Sequence, residues 1–273
     1  MSKRTVYFIS DQTGLTAETI GRSLLTQFNV PDFDCSTLSF IDSYDKAVDV
    51  GKQIDNIASI SGMKPIVFIS FAKKELSQEI LKSNGLVIDF FGEFIGALSD
   101  ELGIEPTFQQ GTAHGIADFK SYDRRIDAMN FAMDADDGHT LKNYDTADII
   151  LIGVSRSGKT PTCLYLALQY GIYAANYPLS DDDLESGNMP EVLKHFRSKI
   201  YGLTISPERL RKIRLERRPD GIYSSHQQVT YEIRAAELLM KKNNISFTDT
   251  TLFSIEEIAS TILSKSDIKR RAL

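Results

Sequence analysis

One stretch limits what this 273-residue chain can fold into more than any other. Ile149-Ile150-Leu151-Ile152 leads into Gly153-Val154-Ser155-Arg156-Ser157-Gly158-Lys159-Thr160, which is followed by Pro161 to Tyr170 and Gly171. The four aliphatic residues predict a buried strand, and the run from Pro161 predicts a helix closed by a glycine. Between them the loop fits G-x-x-x-x-G-K-[ST] at every fixed position. Strand, glycine turn and helix in this order belong to parallel sheets with crossover helices.

Each position of the loop has a physical reason. Glycines let the backbone close around phosphate oxygens and turn its N–H groups toward them. The helix that follows adds its unpaired donors and its dipole. Lys159 brings a compact positive charge for terminal phosphates, and the Thr160 hydroxyl suits Mg²⁺. Gly153, Val154, Ser155, Arg156, Ser157, Gly158, Lys159 and Thr160 are therefore the candidate nucleotide-binding residues, with Thr160 the candidate metal ligand. Arg156 reads either as a second cation on the same anion or as a solvated surface arginine.

The same alternation runs through the rest of the chain. Val6 to Ile9, Cys35 to Phe40, Ile66 to Phe71 and Leu86 to Phe90 read as short apolar strands; Leu15 to Phe28 and Lys46 to Ile60 read as helices. After Pro106 the texture changes, with one helical stripe of Ile126, Met129 and Met133. Beyond the glycine loop, Ile172 to Asn176 and Ile200 to Ile205 predict strands. Ser180 with Asp183, Ser206-Pro207, and Ser254 with Glu257 mark helix starts. Gln227 to Lys242 predicts a helix with Val229, Ile233, Ala236 and Met240 on one face. The fold class is α/β in two units: residues 1–105, and residues 106–273 as a P-loop kinase-like unit.

Composition narrows the functions. Hydrophobic residues make up 42% and charged residues 25%, ordinary for a globular chain with a sizeable core. A net charge of −6 argues against a broad nucleic-acid footprint, which calls for a basic surface. The two cysteines, Cys35 and Cys163, have no metal-type spacing and fit reduced thiols. No stretch has the apolar length to span a bilayer, and the N-terminus lacks a signal-peptide pattern, so a cytoplasmic protein is expected.

The loop sits in a longer recognisable sequence. GVSRSGKTPTCLYLALQYGIYAANYPL (153–179) closely resembles the bacterial phosphoenolpyruvate synthase regulatory proteins, relatives of the pyruvate, phosphate dikinase regulatory proteins. The similarity continues in GLTISPERLRKIRLERR (202–218), SIEEIASTIL (254–263) and YFISDQTGLTAETIG (7–21). The resemblance implies a bifunctional enzyme. It would phosphorylate a threonine of phosphoenolpyruvate synthase with ADP as donor, switching the synthase off. It would remove that phosphate with inorganic phosphate, releasing pyrophosphate and switching the synthase on. The strict Gly158-Lys159-Thr160 favours the synthase branch over the dikinase branch, which typically has Ser-Lys-Thr there. In one departure, Ala135 precedes Asp136-Asp137-Gly138 where the family often has histidine, so any histidine role there is absent or moved to His139.

Such a kinase must orient a threonine hydroxyl and accept its proton, for which a carboxylate is the natural base. Asp136 and Asp137, with Lys159 on the phosphates, are the candidate catalytic residues; Asp127 is the weaker alternative, and a solvated Asp-Gly turn is the plain reading. Arg211, Arg214 and Arg218 have the spacing of one helix face and would grip phosphates or simply face solvent. His114, between glycines, reads as a loop histidine. His139, His195 and His226 lack zinc-site spacing. Gly14, in Ser10-Asp11-Gln12-Thr13-Gly14, reads as an anion nest or a helix start.

The reading is an ADP-dependent serine/threonine protein kinase and phosphate-dependent, pyrophosphate-forming phosphotransferase, with Mg²⁺ as the ion. Its partner would be phosphoenolpyruvate synthase, with no nucleic acid and no membrane, and it would form a homodimer if it follows a dimeric target. The rivals are the same chemistry on pyruvate, phosphate dikinase, a nucleotide-gated inhibitory binding protein without phosphotransfer, and a small-metabolite kinase.

Overall fold

The structure, a computed structural model, describes residues 3–29, 32–108, 119–136, 144–218, 221–266 and 268. The chain divides into two compact units, Met1–Gly115 and Ile116–Leu273. Both are α/β, each built on a four-stranded parallel sheet.

The first unit runs β1 (Thr5–Ser10), α1 (Leu15–Leu25), β2 (Asp34–Leu38), α2 (Tyr44–Ser61), β3 (Ile66–Ser70), α3 (Lys74–Leu81), β4 (Leu86–Asp89) and α4 (Phe90–Leu102), with strand order β2-β1-β3-β4. Side chains alternate across a strand, and the core follows. Tyr7, Ile9, Val67 and Ile69 pack against α2 and α3 through Ala47, Ile54, Leu76 and Ile80. On the opposite face Val6, Phe8 and Phe68 meet Ala17 of α1 and Phe90 of α4. A strand buried on both faces reads as a continuous apolar run, as Val6-Tyr7-Phe8-Ile9 does. Gly14 starts α1 with φ 81 and no side-chain cap, so the left-handed turn into the helix is what its glycine supplies.

The second unit opens with α5 (Phe119–Asp134) and β5 (Ile149–Gly153). It continues through α6 (Lys159–Tyr170), β6 (Ala174–Pro178), α7 (Asp181–Ser186), a 3₁₀ segment (Glu191–Lys199) and β7 (Ile200–Thr204). Then come α8 (Pro207–Arg217), a short 3₁₀ turn (Ile222–Ser224), α9 (His226–Lys242), β8 (Phe247–Asp249) and α10 (Ile255–Lys265). Strand order is β6-β5-β7-β8. Ile149, Leu151, Tyr201 and Leu203 face Ala128 and Ala132 of α5, Cys163 and Leu166 of α6, and Ile258 and Ile262 of α10. Ile150, Ile152 and Ile200 face Leu210 of α8 and Val229, Ile233, Ala236 and Met240 of α9.

The three expected helix starts carry their caps. Ser180 with Asp183 and Ser254 with Glu257 form capping boxes, and Ser206 accepts from the Arg209 N–H ahead of Pro207. The stripe of Ile126, Met129 and Met133 lies in α5 but is not its buried face: Ala128 and Ala132 are buried, while Met133 is exposed. Small alanines let α5 approach α6 closely, which larger side chains there would prevent.

Candidate active site

The chain lays β6 on one side of β5 and then crosses to lay β7 on the other. Such a reversal opens a crevice at the carboxyl ends of the strands, and the glycine loop leaves β5 there. Gly153 makes this possible: a Cβ at this position would lie 2.3 Å from the Leu203 carbonyl oxygen and 2.9 Å from Ser157 Oγ. Arg156 (φ 75) and Gly158 (φ 94) both take the left-handed region that closes the loop. Gly158 is also the N-cap of α6 and supplies no side-chain cap, so the helix opens with its first-turn N–H groups uncapped by a side chain.

Lys159 is buried and curls under its own loop, where Nζ donates to the Gly153 carbonyl at 3.1 Å and to the Val154 carbonyl at 2.9 Å. Val154 and Ser157 are buried beneath the loop. Ser155, Arg156, Gly158, Lys159 and Thr160 line a cleft of about 530 Å³, together with Asp136, Pro161 and, from α8, Ile213 and Arg217. Among the described residues its charged lining is three cations, Arg156, Lys159 and Arg217, against one carboxylate, Asp136. A cleft so lined attracts a polyanion.

Asp136 and Thr160 meet beside the loop. Thr160 Oγ1 donates to Asp136 Oδ1 at 2.8 Å. Asn176, on β6 and almost fully buried, donates through Nδ2 to the same carboxylate oxygen and to Thr160 Oγ1 at 3.1 Å. The Asn176 N–H also holds the Ala135 carbonyl at 3.3 Å, and its own carbonyl accepts from the Tyr144 hydroxyl at 3.0 Å. These bonds tie the end of α5 to β6 and bring Asp136 to the loop. A hydroxyl and a carboxylate side by side are hard oxygen ligands that fit Mg²⁺. Among the described residues no cluster of three or more His, Cys, Asp or Glu side chains could hold a metal. A magnesium ion at this pair would therefore complete its shell with phosphate oxygens and water, its usual mode.

The other expected residues fall differently. Asp137, Gly138, His139 and His114 lie outside the described residues. Asp127 is exposed on α5 and does not line the cleft. His195 and His226 are exposed.

The arginine stripe divides. Arg211 and Arg218 are exposed, whereas Arg214 is wholly enclosed and ion-paired with Glu232 of α9 at 2.6 Å. The expectation of one common face for the three arginines is therefore corrected. Spacing within a helix cannot reveal a compensating carboxylate eighteen residues further on, and that carboxylate is what lets Arg214 turn inward. Arg217, not Arg214, is the arginine of α8 that lines the cleft.

Sequence reasoning also passed over Asn176 and Glu232. Each had a signal: Asn176 is polar within the buried run Ala174-Ala175-Asn176, and Glu232 interrupts the apolar face Val229, Ile233, Ala236.

A family model described as kinase/pyrophosphorylase matches residues 6–263. A protein of Hahella chejuensis named as a phosphoenolpyruvate synthase regulatory protein is 49% identical over 268 residues, 98% of each chain. One of the same name from Laribacter hongkongensis is 49% identical over 270 residues, again 98% of each. Another, from Marinobacter nauticus, is 47% identical over 268 residues, 98% of this chain and 99% of that one. With nearly its whole length matched, both around the loop and in the first unit, the chain belongs to the kinase/pyrophosphorylase family.

Proposed function

We propose that this chain regulates phosphoenolpyruvate synthase by moving a phosphoryl group on and off one of its threonines, with ADP as donor and inorganic phosphate as acceptor. The observation that carries the reading is the cleft itself. Three cations converge on a glycine loop at a helix N-terminus, beside a paired hydroxyl and carboxylate. The names of the relatives supply the target.

In the forward direction the threonine oxygen attacks the terminal phosphorus of ADP. The new P–O bond forms as the bridging P–O bond breaks, AMP leaves, and the hydroxyl proton passes to a carboxylate. In the reverse direction an oxygen of inorganic phosphate attacks the phosphothreonine phosphorus, pyrophosphate leaves, and the threonine oxygen takes up a proton. Lys159, Arg156 and Arg217 hold the charge that accumulates on the transferring group, where electrostatic stabilisation dominates phosphoryl transfer. Thr160 and Asp136 hold Mg²⁺, which neutralises phosphate charge when bound. Asp137, adjacent in sequence to Asp136, remains the candidate base, because Asp136 is engaged by Thr160 and Asn176.

The test is the intact mass of phosphoenolpyruvate synthase after incubation with this protein, Mg²⁺ and either ADP or ATP. One phosphate gained on threonine with ADP, and lost again on adding inorganic phosphate with release of pyrophosphate, is the expected result. No gain with either nucleotide would remove the synthase as the target.

A further inference from the structure

Arg214 is the largest side chain that the described residues enclose completely, on a helix whose other arginines are exposed. Both terminal nitrogens are used twice. Nη1 donates to Glu232 Oε1 at 3.1 Å and to the Tyr223 carbonyl at 2.9 Å. Nη2 donates to Glu232 Oε2 at 2.6 Å and to the Ser155 carbonyl at 3.1 Å. The Tyr223 ring lies against the guanidinium, 4.2 Å from Cζ to centroid, and its hydroxyl meets Ser155 Oγ at 3.3 Å. Gln228 Nε2 adds a bond to Glu232 Oε1 at 3.1 Å. Fold stability alone does not call for this arrangement, since a buried ion pair is often no better than apolar residues of the same volume. Held by Glu232 and the Tyr223 carbonyl, Arg214 reaches one backbone carbonyl of the glycine loop, that of Ser155.

That carbonyl belongs to the peptide joining Ser155 to Arg156. No peptide among the described residues is cis, and in a trans peptide the carbonyl and the following N–H point opposite ways. With the Ser155 oxygen bonded to Arg214, the Arg156 N–H points the opposite way, and both residues line the cleft. A flip of this one peptide would exchange the two and present a carbonyl oxygen to the anion. Arg156 has φ 75°, which a non-glycine residue rarely adopts, and the flip would return it to negative φ.

We propose that Arg214 is a positioning residue for phosphate binding: its bond to the Ser155 carbonyl, with Glu232 and Tyr223 fixing the guanidinium, keeps the Arg156 N–H aimed at the phosphate. The proposal rests on the reading of the glycine loop as the phosphate site. Arg214 touches no substrate; it acts through the loop. A lysine cannot replace it, because one ammonium lacks the planar fork that spans Glu232 and the carbonyl together.

The test measures MgADP binding by calorimetry, and the Arg156 amide resonance by ¹⁵N NMR, in the full-length protein. In R214M/E232L an apolar pair replaces the ion pair, so the fold is kept while the latch is lost. Thermal melting checks that the fold persists. The expected result is ADP binding weakened ~tenfold or more, with the ADP-induced shift of the Arg156 amide abolished. R214K is expected to lose affinity in the same way and decides the matter should the double variant not fold. Wild-type affinity together with a wild-type Arg156 shift in a folded variant would overturn the proposal. Lys159→Ala separates the latch from the reading beneath it. If that variant binds ADP normally, the loop is not the nucleotide site and both ideas fail. If it loses ADP while R214M/E232L keeps it, only the latch fails.

Discussion

Asn176 and Cys163 are both buried in the second unit, each with a polar atom bonded inside it. Asn176 serves Asp136 and Thr160 with one amide nitrogen, inside a strand. Asn176→Leu keeps the branching at Cγ but withdraws that donor, leaving a partly buried carboxylate and hydroxyl short of a partner. A loss of ~1–3 kcal/mol is expected, measured by urea unfolding at neutral pH. Cys163, one turn into α6 from Thr160, is buried, and its thiol donates to the Ala175 carbonyl. Burial pushes that thiol well above the usual cysteine range, so little thiolate forms at neutral pH. Cys35 is only half-buried. A thiol reagent added to the native protein should therefore label Cys35 and spare Cys163 until urea is added, read by peptide mass; labelling of both at equal rates would contradict the burial. The glycine loop was legible because each of its residues has a local reason to be there. Asn176, Glu232 and the inward turn of Arg214 were not, because their reasons are partners that lie on other elements.

Helix capping shows how far short-range chemistry reaches at the scale of elements. Ser254 accepts from the Glu257 N–H, and the Glu257 carboxylate accepts from the Ser254 N–H at 2.8 Å. Ser254→Ala should lower stability by ~1 kcal/mol, seen as a fall in urea midpoint with unchanged slope; an unchanged midpoint would mean α10 is held by packing alone. Strands and helices with strong periodicity stood close to their expected places, as with β1, α2, β5 and α9. Among the α-helices and strands described, three gave no usable signal. The helix α3 is eight residues long, α4 carries two glycines and buries only Phe90, and β8 is three residues whose pairing comes from β7. Such elements are made by tertiary contact, where propensity is a weak guide. Strand β6 sits two residues later than its apolar run implied, since Tyr177 and Pro178 are drawn into the ladder opposite Ile152 and Gly153.

Across the whole molecule, every described residue of the candidate site, from Asp136 to Arg217, belongs to the second unit. Residues 116–273 produced alone should therefore bind MgADP within about threefold of the full chain, under ~0.7 kcal/mol, measured by calorimetry. A folded fragment that does not bind would mean the first unit contributes to the nucleotide site. Both sheets order their strands second, first, third, fourth, yet the sequence shows no internal repeat. Many apolar patterns satisfy one winding, so the α/β class could be read from alternation while the shared strand order could not.

Neither sheet borrows a strand from the other, and this has a consequence for the chain while it is being made. The first four strands end at Asp89, seventy residues before Lys159 is added. At ~5–20 residues per second, the ribosome takes roughly 4–14 s to add those seventy residues. The first sheet therefore has all its pairing partners in hand, and time to settle, before the glycine loop exists.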